Sequence, residues 1–486
     1  MLEEIRAERL KKLALLKERG MDPYPCRTAR THTLSEVLGQ FSALETNGAR
    51  PVVAGRIMSK RVQGALTFLD LYDGTARFQA VLKKDEVGED EYDFFLAVVD
   101  QGDFVEAEGP LFVTKRGQQS LLVARWRMLA KSLVPIPDEW YGLKDEDERY
   151  RKRYLDFLLN PASREIVERK AAFWRAARAF HETRGFLEVR TPALEATPGG
   201  GDARPFVTHH HALDMDVYLR ISAGELWQKR LMVAGFPRTF EIGRIFRNEG
   251  MSSEHLQDYD QCEAYWAYAD YREMYTFLRE CFQYVAQETF GTLKFSMRGF
   301  EVDLGGEWEV ADYATLIRDR LGVDIWEEGR EALAAKADAL GVAHEPEAGK
   351  ARLVDLLWKQ VRRTIAGPLI LINEPTFTSP LAKKVPGKPH MVERFHFVIA
   401  GSELGQGYSE LNDPLDQRKR FEEQQALRDA GDEEAQMADW DFVEALEYGM
   451  PPCAGHGFSE RYFAYLMDKP VREIQLFPLM RPRPRP

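Results

Sequence analysis

The chain has 486 residues, 30% of them charged, a formal net charge of −12, and four cysteines, Cys26, Cys262, Cys281 and Cys453, set far apart. That length holds two or three domains with cores of their own, and the cysteine spacing argues against both a disulfide framework and a structural zinc. The acidic balance excludes general polyanion binding and leaves nucleic acid only as a specific partner. No apolar run approaches the roughly 20 residues of a membrane span and the first 20 residues carry no apolar leader, so a cytoplasmic protein with no membrane partner is expected.

In chain order, residues 1–50 form an N-terminal helix and lead-in. Ile5, Leu10, Leu13 and Leu16 among basic residues suit an amphipathic helix, with packing and RNA contact equally open. Residues 51–137 change to short β-rich runs, VVAGRI, LTFLDLYD, RFQAVL, DFVEAEGPLFV and SLLVARW. Five such runs broken by glycine-containing turns predict a small closed barrel, for which the five-stranded OB-fold is the common answer. Residues 138–160, rich in proline and charge, read as a hinge. The remainder, 161–486, opens with a long helix that Pro161 starts and Gly185 closes, followed by a strand in FLEVRTP. Strands and helices then mix without βαβ alternation, which predicts an α+β domain on an antiparallel sheet flanked by helices. Within it, about 306–366 reads as a helical insertion, and the RPRPRP tail as a frayed end.

The segment FEIGRIFRNEGMSSEHLQDYDQCEAYWAYADY has two strand-like runs around a polar loop from Asn248 to Asp258. A hairpin there turns alternate side chains into one cleft and makes Arg247, Glu249, Glu263 and Tyr265 the inward candidates.

This segment resembles motif 2 of class II aminoacyl-tRNA synthetases, and the chain around it resembles the lysyl-tRNA synthetase family. The likeness rests on eight blocks in the family's order: GLKDEDERYRKRYLD, FLEVRTPALEATPGGGDARPFVTHH, ALDMDVYLRIS, the motif 2 run, SPLAK, GYSELNDPLDQRKRFEEQ, ALEYGMPP and VREIQLFPLMRP. It implies an OB-fold anticodon-binding domain ahead of a class II catalytic domain. It also implies formation of lysyl-adenylate from lysine and ATP with Mg2+, then transfer of the lysyl group to the terminal adenosine of tRNA(Lys). In-line displacement at a phosphate needs positioning and charge neutralisation rather than a protein nucleophile.

By resemblance, Arg247 is the catalytic residue, bridging the lysine carboxylate and the α-phosphate. Glu249 meets the adenine amino group, His255 lies near the phosphates, Tyr259 stacks on the base and Arg461 closes the other face. Glu410 and Tyr265 bind the ε-ammonium with Tyr408 as a wall, Glu225 and Glu263 hold the α-amino group, and Gln406 contacts the carboxylate. Glu403 belongs to both the ATP and the metal site, with His396 beside it. In the barrel Phe68 stacks on a base and Gln79 reads its edge; Arg56, Lys60, Arg61 and Arg77 offset Asp70 and Asp73. The helix at 161–184 and Pro192 match motif 1, which implies a homodimer.

The chain departs from the family in four places. His396 stands where an acid normally helps Glu403 bind Mg2+, and an imidazole is a poorer ligand for that hard cation. Gln406 replaces an asparagine. GHGFSER is one residue shorter than the usual run before Arg461, and SAGELW is one longer before Glu225. Three rivals follow: an aspartyl- or asparaginyl-tRNA synthetase-like enzyme, an inactive or altered paralogue that binds tRNA, and an adenylate-forming enzyme that acylates a protein lysine. Glu410 opposes the first, retention of Arg247, Glu249, Glu403, Glu410 and Arg461 the second, and the complete barrel the third.

Overall fold

The computed structural model describes residues 2–137, 143–201, 203–430 and 435–483. Residues 138–142 of the expected hinge and the last three of the RPRPRP tail lie outside them. The chain forms two compact units, residues 1–159 and 160–486.

The first unit is a seven-stranded sheet rather than five strands. Its order is Leu111–Val113, Gln119–Val123, Arg77–Lys83, Leu66–Tyr72, Val52–Gln63, Phe104–Glu108 and Arg125–Ala130. Two of the five runs split. DFVEAEGPLFV breaks at Gly109, where an added Cβ would lie 1.7 Å from the Leu122 carbonyl oxygen, so only glycine permits the backbones to approach. SLLVARW divides around Ala124. Ile57, Leu71, Phe78, Leu82 and Met128 fill the core. Helix Leu2–Glu18 packs on this unit: Leu16 is fully buried, and Arg9 donates to the carbonyls of Gln101, Ser132 and Val134 at 3.0–3.2 Å. Arg9 is thus structural, which favours the packing reading of this helix. The charged stretch read as hinge carries helices Glu146–Arg151 and Arg153–Leu159, the first capped by the Asp145 side chain on the Glu148 N–H.

The second unit is built on an eight-stranded sheet. Its order is Glu309–Asp312, Leu369–Ile372, Arg394–Ile399, Ser402–Ser409, Cys453–Ser459, Asp258–Ala267, Arg238–Phe246 and Leu187–Glu188. Pairing is antiparallel except at the two edges, where the short strands Glu309–Asp312 and Leu187–Glu188 pair in parallel. The FLEVRTP strand is therefore only two residues long. One face of the sheet packs on helices Pro161–Glu182 and Tyr271–Phe290 through Phe173, Phe180, Phe277, Phe282 and Phe458. Asn160 caps the first helix with Pro161 in its first turn, and an Asp270–Glu273 capping box starts the second.

Residues 306–366 hold the edge strand Glu309–Asp312 and helices Tyr313–Leu321, Arg330–Ala339 and Lys350–Arg362. In the last helix Leu353, Val354, Leu357, Trp358 and Val361 form one buried stripe. None of the described helices is long and apolar enough to cross a membrane.

Candidate active site

The open face of the sheet carries the polar side chains in rows that strand pairing dictates. Arg394, Tyr408, Gly455, Tyr265 and Thr239 stand opposite one another on neighbouring strands, as do His396, Gln406, Gly457, Glu263 and Glu241. Glu403 differs in parity from Gln406 and ought to face the other way. A bulge corrects this: Phe397 pairs with Gly405 but Val398 with Glu403, so Leu404 is the extra residue and Glu403 is turned to the polar face. Glycines at 455 and 457 leave the floor low between the larger side chains. At Gly455 a Cβ would lie 2.6 Å from Glu410 Oε1 and from the Tyr265 ring.

Two adjoining cavities result. The inner one, about 260 Å³, is lined by Glu225, Arg247, Glu263, Tyr265, Gln406, Tyr408 and Glu410, among others. Three of these are buried carboxylates, and a fourth buried group answers them. Lys229, one helical turn after Glu225 on helix Glu225–Val233, places Nζ 2.7 Å from Glu225 Oε1 and 2.5 Å from Glu410 Oε2. The Tyr408 hydroxyl also donates to Glu225 Oε1. Glu263 accepts from the Ala223 N–H at 3.0 Å and from the Gln261 amide. Glu410 Oε1 is buried with no hydrogen-bond partner among the described residues. Burial and the nearby Glu225 push Glu410 up to about 8 although Lys229 pulls it down; burial and Glu225 also raise Glu263 to about 8.

Within the SAGELW run Gly224 is the left-handed N-cap of that helix at φ 77°. Thr191 Oγ1 would lie 2.1 Å from a Cβ there, so no other residue fits.

The outer cavity, about 230 Å³, is lined by Arg247, Glu249, His255, Tyr259, Glu403 and Arg461, among others. Arg247, Gln261, Gln406 and Gly457 border both cavities. The Arg247 guanidinium lies 5.9 Å from the Tyr259 ring centroid, and its Nε donates to the Ile221 carbonyl at 3.3 Å. The shortened run before Arg461 still forms strand Cys453–Ser459 and helix Arg461–Leu466, and Arg461 donates to the Glu403 carbonyl at the cavity wall.

Glu403 is held from behind by the far end of helix Lys350–Arg362. The Trp358 indole N–H donates to Oε1 at 2.6 Å and Arg362 Nη1 lies 3.0 Å from Oε2. Burial alone would raise this carboxyl, but His396, Arg362, Trp358 and Arg394 outweigh it and hold it at about 2. His396 lines the same cavity as Glu403, with both ring nitrogens engaged: Nδ1 contacts a Glu374 carboxylate oxygen and Nε2 lies 2.9 Å from Gln406 Oε1. Arg394 donates to the same Gln406 oxygen at 2.6 Å, leaving the Gln406 NH2 as a donor toward the cavities. Both His396 nitrogens thus face oxygens of neighbouring side chains. Among the described residues no group of three or more His, Cys, Asp or Glu is placed to hold a metal ion. The side chains acting most strongly on Glu403 are His396, Arg362, Trp358 and Arg394, nitrogen and cationic groups that are poorer partners than carboxylates for a hard dication.

On the first unit, a third cavity of about 290 Å³ brings together Arg61, Phe68, Arg77, Gln79 and Gln118. Arg56 does not join it; that guanidinium covers the Phe104 ring at 4.3 Å. Asp70 pairs with Arg77 at 3.2 Å, and Asp73 accepts the Leu34 and Thr75 N–H groups in a turn. Neither acid stands as an isolated charge.

The sequence reading missed Lys229, Arg394, Gly455, Trp358 and Arg362. The i, i+4 pair Glu225 and Lys229 and the alternating glycines at 455 and 457 were signals for two of them.

Comparison with known proteins gives a consistent picture. Residues 145–481 match the family of class II tRNA synthetases for D, K and N, and residues 52–129 match the OB-fold nucleic acid binding domain. A lysine–tRNA ligase of Roseiflexus castenholzii is 43% identical over 99% of both chains. One of Thermotoga maritima is 40% identical over 99% of this chain and 97% of its own, and one of Moorella thermoacetica 42% over 99% and 98%.

Proposed function

The chain belongs to the class II lysine–tRNA ligases, and we propose that its inner cavity takes lysine, its outer cavity ATP, and Arg247 the junction at which the lysine carboxylate attacks the α-phosphate. The observation that carries this division is the charge of the inner cavity. Glu225, Glu263 and Glu410 face the Lys229 ammonium; with Arg394 at the wall paired to Glu374 and Arg247 assigned to the lysine carboxylate, two further positive charges complete the balance. Lysine brings two ammonium groups; aspartate or asparagine would set further carboxylate or amide oxygens against buried acids. Glu410 Oε1, buried and without a partner, is the acceptor proposed for the ε-ammonium. Glu225 and Glu263 take the α-amino group, and Arg247 with the free NH2 of Gln406 takes the carboxylate.

In the outer cavity Tyr259 and Glu249 are assigned to adenine, with His255 and Arg461 on the triphosphate side. A planar guanidinium at Arg247 can contact carboxylate and phosphate oxygens together, and its charge lowers their repulsion in the transition state. Mg2+ arrives on ATP as a phosphate counter-ion. In the second reaction tRNA(Lys) supplies the ribose hydroxyl, and Phe68 and Gln79 of the barrel are assigned to its anticodon. A homodimer built on helix Pro161–Glu182 is part of the same reading, and sedimentation as monomer alone would contradict it.

The test is pyrophosphate exchange with each amino acid in turn. Stimulation by lysine alone is expected. Equal stimulation by aspartate or asparagine, or none by any amino acid, would defeat the assignment.

A further inference from the structure

Two departures around the outer cavity fit one explanation. The carboxylate expected beside Glu403 is replaced by His396, whose ring contacts Glu374 and Gln406. Glu403 itself receives a cation from the protein: Arg362 Nη1 at 3.0 Å, on a side chain one-fifth exposed, with the Trp358 indole on the other oxygen. Trp358 and Arg362 are i and i+4 on one buried-stripe helix, so a single face delivers both donors. The charge of Arg362 also reaches Glu254 and His255 as the smallest of the influences on each: burial raises Glu254 while Tyr465, Arg461, Ser402 and Arg362 together hold it low, and burial and then Arg461 chiefly lower His255.

We propose that Arg362 stands in for a divalent cation at Glu403, neutralising the triphosphate end of ATP from the protein side. The loss of a second acid at His396 and the gain of a guanidinium on Glu403 are then one compensated change. With an imidazole in place of the second acid and a fixed positive charge on Glu403, the position is a poorer one for a second Mg2+ even though Glu249 and Glu254 also line the cavity, and the guanidinium acts on it from behind Glu403. This rests on the outer cavity holding ATP.

Two measurements on the full-length protein test it. In the first, lysine-dependent pyrophosphate exchange is followed against free Mg2+ at saturating lysine and with ATP held as its Mg2+ complex. The wild type should show no further rise with free Mg2+. Arg362→Ala should fall about 10²-fold at low free Mg2+ and recover as Mg2+ rises, while Arg362→Lys should fall less. In the second, Mn2+ bound in the presence of lysine and a non-hydrolysable ATP analogue is counted by electron paramagnetic resonance. One Mn2+ per wild-type chain and an additional one in Arg362→Ala are expected, with far-UV circular dichroism reporting that the variant is folded. A second Mn2+ in the wild type overturns the proposal, as does an Arg362→Ala Mg2+ profile parallel to the wild type. Should lysine fail to stimulate exchange, the functional assignment falls, and the Mn2+ count still decides the role of Arg362. If Arg362→Ala does not fold, the Arg362→Lys Mg2+ profile and the wild-type Mn2+ count decide.

Discussion

Replacing Glu410 by glutamine keeps side-chain volume and removes one charge from the inner cavity. Glu410 is 2% exposed, lies 2.5 Å from Lys229, and keeps one oxygen unpartnered. In the variant the ε-ammonium of bound lysine would meet an amide instead of a carboxylate. Leaving one member of a buried ion pair alone costs about 3–5 kcal/mol. At about 1.4 kcal/mol per decade that is about two to three and a half decades of lysine affinity. Lys229 keeps Glu225 at 2.7 Å, so the protein's own ammonium remains paired and the lower end, about 10²-fold, is the better expectation. Glu410 lines only the inner cavity, whereas Glu249, His255, Tyr259 and Arg461 line the outer one, so the KM for ATP should stay within about twofold. Pyrophosphate exchange with lysine and ATP varied separately reads both. A lysine KM equal to wild type, or equal losses for lysine and ATP, would refute the assignment of Glu410 to the ε-ammonium.

Burial holds Glu263 and Glu410 near 8, so at neutral pH the empty cavity carries protons that lysine must displace. Lysine affinity should therefore rise from pH 6 to 8 with proton release, measured by calorimetry in buffers of different ionisation enthalpy; a pH-independent affinity would count against it. The same raised values mean that the folded protein binds more protons than the unfolded chain between about 4.5 and 8, so the lysine-free protein should lose stability as pH rises through that window. Thermal melts should show lysine restoring more at pH 8 than at pH 5. Gly455→Ala puts a methyl group 2.6 Å from Glu410 Oε1 and the Tyr265 ring and should abolish lysine-dependent exchange while ATP-analogue binding persists; unchanged exchange would show that the floor has room. Phe68→Ala should raise the KM for tRNA(Lys) by about tenfold or more without altering exchange, given about 1–3 kcal/mol per stacked base.

The parts of the fold that were legible are those a local pattern specifies. Two β-rich runs around a polar loop defined the hairpin Arg238–Phe246 and Asp258–Ala267, and period-two alternation placed Glu263 and Tyr265 on one face. A helix opened by Pro161 was equally local. What failed to show depended on contacts distant in sequence. Parity along Ser402–Ser409 sets Glu403 against Gln406, and only the bulge at Leu404, visible in the pairing with Arg394–Ile399, brings them to one face. The barrel's two extra strands arise where Gly109 lets the chain pass against Leu122. Arg362 sits in a segment read merely as a helical insertion, and nothing in its neighbours indicates that Glu403, 41 positions later, is its partner.

The two cavities share the residues that join them, Arg247, Gln261, Gln406 and Gly457. Buried carboxylates dominate the inner one, tempered by Lys229 with Arg247 and Arg394 at its wall; the outer one is mixed, with Glu249, Glu254, Glu403 and Glu460 set among Arg247, Arg461 and, behind Glu403, Arg362. On the proposed assignment a ligand with ammonium groups at one end and a carboxylate at the other lies with its carboxylate toward Arg247, which borders both cavities. ATP, polyanionic, would then meet Arg247 and Arg461 from the outer side. Arg247 is thereby placed where the two ligands' negative charges would meet. That position also explains why a fixed cation at Arg362 is useful: it draws the triphosphate end away from the junction, so that Arg247 is left for the α-phosphate and the attacking carboxylate.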